Sequence, residues 1–172
     1  MPREYSKIFC FIILSGMNGR YSQYRDLVYT IIGAAMKVQS ELRWGLLEAV
    51  YNEALVLELK ERGVDCEAEK SIHCYYRNHL LKKEYKMDIV VGDVIVELKS
   101  VSDIIPAHRA QLFNYLRLTK KPVGLLINFG TPKLQGERYG FDEETNGCVL
   151  LDRYMEVVPK EIDWDIDDLP LS

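Results

Sequence analysis

Leu27, Ile31, Ala34, Ala35, Val38 and Leu42 recur at helical spacing, which predicts an amphipathic helix over residues 24–41. Trp44-Gly45 breaks the pattern. A second helical stretch runs from Leu46 to Glu61, apolar at Leu47, Val50, Ala54 and Leu57, and Arg62-Gly63 supplies a glycine stop. The period then changes to two. Cys66, Ala68, Ile72, Cys74 and Tyr76 alternate with Glu67, Glu69, Ser71 and His73, the pattern of a strand. Arg77-Asn78-His79 reads as a turn, and a second strand alternates through Tyr85, Met87, Ile89 and Val91. Gly92-Asp93 is a two-residue hairpin signal leading into a third strand, Val94 to Lys99. Pro106 opens a helix to about Thr119, proline being favoured at a first helical position. Pro122 to Asn128 is an apolar run of the kind buried on both faces. Beyond Gly130-Thr131-Pro132 the signal fades, with Val149-Leu150-Leu151 as a last strand. The order α-α-β-β-β-α-β predicts an α/β fold: a mixed sheet flanked by helices, with a parallel crossover between the third and fourth strands.

Length and composition agree with this. A chain of 172 residues, 48% hydrophobic and 28% charged, can bury a core without disulfides. The four cysteines form no C-x-x-C pair, so reduced thiols in a cytoplasmic protein are the plain reading. Cys66, His73, Cys74 and His79 fit no usual zinc spacing. Ile8 to Leu14 is apolar but too short to span a membrane, so no membrane partner is expected. Residues 1–23 read as an N-terminal extension. Residues 1–16 are either an extra strand or sequence upstream of a start at Met17, and the polar stretch Met17-Asn18-Gly19-Arg20 favours the second. The net charge of −4 is unevenly spread. Glu161, Asp163, Asp165, Asp167 and Asp168 make residues 161–172 an acidic tail, which leaves residues 1–160 close to neutral, with residues 24–160 read as one domain. That permits a nucleic-acid partner without predicting one.

The hairpin brings chemistry together. Pairing outward from Gly92-Asp93 sets Ile89 against Val96 and Asp88 against Glu97, and Lys99 follows Glu97 on the same face. Met87, Ile89, Val91, Val94, Val96 and Leu98 form the opposite face, expected to be the core. Two carboxylates opposed across a ladder repel, and a divalent cation such as Mg²⁺ or Mn²⁺ would relieve them. Lys99 beside them suits phosphoryl chemistry. A solvated acid–lysine patch is the plainer alternative. Gln111 and Tyr115 share a face of the third helix at i, i+4, and Glu48 and Tyr51 share one of the second at i, i+3.

Gly45-Leu46-Leu47-Glu48-Ala49-Val50-Tyr51 reads G-x-x-E-x-x-Y. With Ile31 to Ala35, Asp88 to Lys99, Ala110-Gln111-Leu112, Asn114-Tyr115-Leu116 and Gly124 to Gly130, the chain resembles the small bacterial and archaeal GxxExxY family over roughly residues 24–135. That family is placed in the PD-(D/E)xK nuclease superfamily. The resemblance implies Asp88 and Glu97 as metal carboxylates, Lys99 as the catalytic lysine and Glu48 as the helical acid. It also implies Gln111 and Tyr115 as the Q-x-x-x-Y element, with Tyr51, in contact with substrate or supporting groups. Met87 stands where the motif has proline. The reading is a metal-dependent nuclease acting on DNA ahead of RNA. The alternative is a nucleic-acid-binding or assembly module that keeps the fold without turnover. A small-molecule binding domain has little support, because no Gly-rich phosphate loop is present.

Overall fold

A computed structural model describes residues 19–159. The apolar run at residues 8–14 and the acidic tail lie outside the described residues. After a 3-10 turn at Ser22–Tyr24 come α1 (Arg25–Leu42) and α2 (Glu48–Glu61). They are followed by β1 (Glu67–Tyr76), β2 (His79–Val91), β3 (Val94–Lys99), α3 (Pro106–Thr119), β4 (Val123–Asn128), β5 (Gln135–Asp142) and β6 (Gly147–Leu151). The six strands form one sheet whose spatial order is the chain order. Only β3 and β4 run parallel, joined by α3 as the crossover pattern predicts. The fold is α/β, a mixed sheet between helices.

Helices cover both faces. Val28, Ile31, Ala34, Ala35 and Val38 of α1, with Tyr51, Leu55 and Leu59 of α2, pack on Ile89, Val91, Val94, Val96 and Leu98. Leu112, Tyr115 and Leu116 of α3 pack on Met87, Val90, Ile95 and Leu126. α3 lies close to β4, so a Cβ on Gly124 would stand 2.9 Å from methyl groups of both Leu112 and Leu116.

Two expectations change here. The apolar face was expected to be the only core face, but the face of Glu97 and Lys99 is buried as well, because α3 closes over it. Met87 belongs to the α3 side while Ile89 and Val91 belong to the other, so the alternation of β2 is interrupted at Asp88. Opposite this point Glu69 has φ +50, and the β1–β2 ladder skips from Ala68–Ile89 to Lys70–Met87.

Other boundaries also move. The turn is Arg77-Asn78 alone, both at positive φ, and β2 starts at His79 because β1 carries it outward as a ribbon. α2 begins at Glu48 rather than Leu46. The strand β5 was not expected. Its glycines and charges hide the pattern, and the fold pairs its acid Glu137: Arg109 of α3 makes bidentate contacts of 2.6 and 2.8 Å with it, and Tyr139 donates to the same carboxylate at 2.6 Å, while Arg138 Nε is buried with no hydrogen-bond partner among the described residues. Among the described residues no helix is long and apolar enough to cross a membrane.

Candidate active site

β3 is buried along its whole length, and alternation turns Glu97 and Lys99 to the side of Ile95. The Lys99 ammonium donates to Glu97 Oε1 at 2.6 Å and stands 3.8 Å from Glu48 Oε1 at the start of α2. Glu97 is fully buried and Lys99 nearly so. The second oxygen, Glu97 Oε2, is buried with no hydrogen-bond partner among the described residues.

The β2–β3 ladder has the predicted register at Val91–Val94, Val90–Ile95 and Ile89–Val96. The expected pairing of Asp88 with Glu97 does not follow. Instead the Asp88 carboxylate accepts the Leu98 N–H at 2.7 Å, replacing a ladder bond with a side-chain bond. The strands part where two opposed acids would repel. Asn52 of α2 donates to the Asp88 carbonyl at 3.3 Å.

The charges respond to this setting. Burial, then the Asp88 carboxylate, pushes the Glu97 carboxyl up to about 7, against the pull of Lys99. Burial also raises Asp88, opposed by the Leu98 N–H and Lys99, and raises Glu48, opposed by Lys99. Burial alone would lower the Lys99 ammonium, but its bond to Glu97 and the nearby carboxylates outweigh it and hold it above its ordinary value. The group is therefore rich in carboxyls that resist ionisation together, with one firmly charged lysine.

The remaining predicted residues fall into two places. On the α3 side, Gln111 donates to the Tyr115 hydroxyl at 2.8 Å, and Tyr115 is buried edge-on to Tyr85. Burial raises the Tyr115 phenol, the Gln111 bond opposes this, and the Glu97 and Asp88 charges raise it further. Tyr51 is elsewhere. Its ring stacks on Phe129 at 4.3 Å, and its hydroxyl donates to the Arg43 carbonyl and accepts the Leu46 N–H. Ser100 Oγ donates to the Leu46 carbonyl at 2.6 Å. Together they fix the loop, with Gly45 at φ +91, that delivers Glu48 to the start of α2.

Sequence reasoning missed Asn52, Ser100 and Glu69. Only Asn52 carried a signal, its i+4 spacing from Glu48. Glu48, Asn52, Glu53, Glu69 and Asp88 line a cleft of about 500 Å³ between α2 and the sheet edge. A larger hollow of about 740 Å³ lies between α1 and the β4–β5 region and holds no carboxylate.

The sequence profile described as the PD-(D/E)XK nuclease superfamily matches residues 25–139, more than half of the chain. The chain belongs to this superfamily. The match spans α1 through most of β5 and includes every residue of the acid–lysine group. No curated protein matches the chain. Among solved structures, the crystal structure of SSO0001 is similar at 18% identity and a TM-score of 0.45, over 74% of this chain and 65% of that one. The chain thus spans less than two thirds of that structure's length.

PD-(D/E)XK nucleases typically use divalent metals, and the donor set here fits one. Asp88 and Glu97 offer hard oxygen atoms, and Glu97 Oε2 is a buried acceptor still lacking a partner. Among the described residues no group of three or more His, Cys, Asp or Glu side chains could hold an ion by itself. Mg²⁺ in particular keeps several waters and needs few protein ligands.

Proposed function

We propose that this superfamily member is a metal-dependent nuclease of the GxxExxY kind, hydrolysing phosphodiester bonds in DNA ahead of RNA. Asp88 and Glu97 would hold Mg²⁺ or Mn²⁺. The observation that carries the reading is the buried Glu97–Lys99 pair, in which one carboxylate oxygen holds the lysine and the other is left without a partner. A structural ion pair alone would leave that oxygen as an uncompensated cost of about 1–3 kcal/mol.

A divalent cation bound there supplies a polarised phosphoryl oxygen and a water of lowered pKa. The protein supplies the rest. Lys99, fixed by Glu97 and kept charged, orients the attacking water and offsets negative charge that develops on the phosphoryl oxygens. Glu48, half-exposed at the cleft, is the second carboxylate near that ammonium. Gln111 and Tyr115, a hydrogen-bonded pair on α3, are assigned to contacting a nucleotide or supporting Glu97. Tyr51 and Ser100 act through the loop that places Glu48.

A binding or assembly module without turnover is the second reading, favoured by the weakly charged body of the chain, since nuclease contacts to phosphate usually recruit lysine and arginine. The two are separated by incubating the protein with linear, circular and single-stranded DNA and with RNA, in Mg²⁺, Mn²⁺ or chelator. Cleavage that needs metal and is lost in Glu97→Ala and Lys99→Ala is expected. Absence of cleavage in both metals, with no metal-dependent rise in melting temperature, would leave the binding module as the better account.

A further inference from the structure

The chain carries a net charge of −4, yet residues 70–86 hold Lys70, Arg77, Lys82, Lys83 and Lys86 against a single acid, Glu84. They form the outer part of the β1–β2 hairpin. β2 pairs with β3 only over Ile89–Val91, so its outer half pairs with β1 alone. Every residue from Tyr75 to Lys86 is exposed. Tyr75, Tyr76 and Leu80 each expose about 60% or more of their surface. Lys70 is paired with Glu67, but Arg77, Lys82, Lys83 and Lys86 form no ion pair among the described residues.

We propose that this hairpin is an arm that enters the major groove of duplex DNA and leads a strand to the carboxylate cleft. The proposal rests on the nuclease reading for the identity of the polymer and deepens it by naming the form. An isolated two-stranded ribbon is marginal in water, and its open edges are a liability, so bare tyrosines and unpaired cations on it point to an absent partner. Four unpaired cations select a polyanion. Lysines along a free edge also discourage another strand from adding there, which counts against a protein partner.

The shape selects the groove. The B-DNA major groove is about 12 Å wide and admits a two-stranded ribbon, whereas the A-form groove of RNA is deep and narrow. At about 3.3 Å per residue the arm reaches roughly 25 Å beyond Met87. The same strand, β2, carries Lys82, Lys83 and Lys86 on its exposed outer half and Asp88 at its inner end. Attraction and chemistry are thereby separated: the acidic cleft repels bare phosphate while the arm holds the duplex.

The test compares the full chain with the triple variant Lys82→Gln, Lys83→Gln, Lys86→Gln, whose melting temperature should match because all three side chains are exposed. Binding to a fluorescent DNA duplex, an RNA duplex of the same sequence and a single strand is measured in chelator over a range of KCl. The expected result is tightest binding to the DNA duplex, with affinity falling at least tenfold in the variant. The slope of log affinity against log salt should also become shallower by about 2–3, near one unit per lost phosphate contact. Equal affinity and slope for the two proteins overturns the arm, as does a wild-type chain that binds no DNA. Tighter binding of the RNA duplex or the single strand overturns the groove assignment.

Hydrolysis of bis(p-nitrophenyl) phosphate in Mn²⁺ is run beside it, since this small diester needs no arm. If neither protein cleaves it but the binding difference holds, the nuclease reading fails and the arm stands. If both cleave it equally and DNA binding is also equal, the arm fails and the nuclease reading stands.

Discussion

At the residue scale, the Glu97 carboxyl has a measurable signature. In the folded chain it is raised to about 7, above the ordinary value of 4.5. Below the ordinary value both folded and unfolded chains hold the proton, and the stability it confers is fully present. Between about 4.5 and 7 the unfolded chain gives up its proton while the folded chain keeps it, so stability falls as pH rises. The loss is complete above 7 and amounts to something on the order of 3 kcal/mol. Denaturant titrations in chelator across this range should show that decline, and Glu97→Gln should flatten it. Adding Mg²⁺ or Mn²⁺ at neutral pH should restore stability by about 2–3 kcal/mol at a hundredfold excess over the dissociation constant. A wild-type profile as flat as that of Glu97→Gln would mean that Lys99 alone keeps the carboxylate ionised.

At the element scale, the G-x-x-E-x-x-Y stretch is a device for starting α2 in the right place. The Tyr51 hydroxyl ties Arg43 to Leu46 across the turn, and Glu48, two residues on, is the first of the helix. Tyr51→Phe keeps the stacking on Phe129 and loses both bonds. It should cost about 1–2 kcal/mol, a drop of some 2–6 °C in melting temperature, and slow cleavage without altering the metal-induced shift. Gly124→Ala should destabilise by about 1–3 kcal/mol, because the added methyl meets Leu112 and Leu116. A melting temperature equal to the wild type would show that α3 can slide.

Much at this scale was legible in the sequence. Periodicity identified α1, α2, β1, β3, α3 and β4, and the Gly92-Asp93 turn fixed the β2–β3 register. Strand β5 was not legible, since Glu137 and Arg138 look like loop residues until Arg109 meets Glu137. Nor was the double burial of β3, which depends on where α3 lands. The alternation of Glu97 with Lys99 could be read directly. The replacement of the Asp88–Glu97 pair by a bond to Leu98 could not, because it requires strands that diverge in three dimensions.

For the whole molecule, burial and exposure divide the sheet into a rigid interior and an outlying ribbon. β3 and β4 are buried throughout, while the outer part of β1–β2 is bare on both faces. Native-state hydrogen exchange should therefore be slowest at Ile95–Leu98 and Leu125–Ile127. It should be several orders of magnitude faster at Tyr75–Tyr76 and His79–Glu84, where only a two-stranded ladder protects the amides. Uniform protection across β2 would mean that the ribbon is covered in solution.

The sheet lists its strands in the order in which the chain supplies them. Four of the five pairings join neighbours through short turns or loops, and each can form with little loop entropy lost. The fifth, β3 on β4, must wait for the chain between Lys99 and Val123 to close through α3. That closure is the longest step between paired strands, so it is the natural barrier in folding. Glu97 and Lys99 sit on the strand that waits. Their costly burial is deferred until α3 docks, and the protein escapes stranding charged groups in a half-built core.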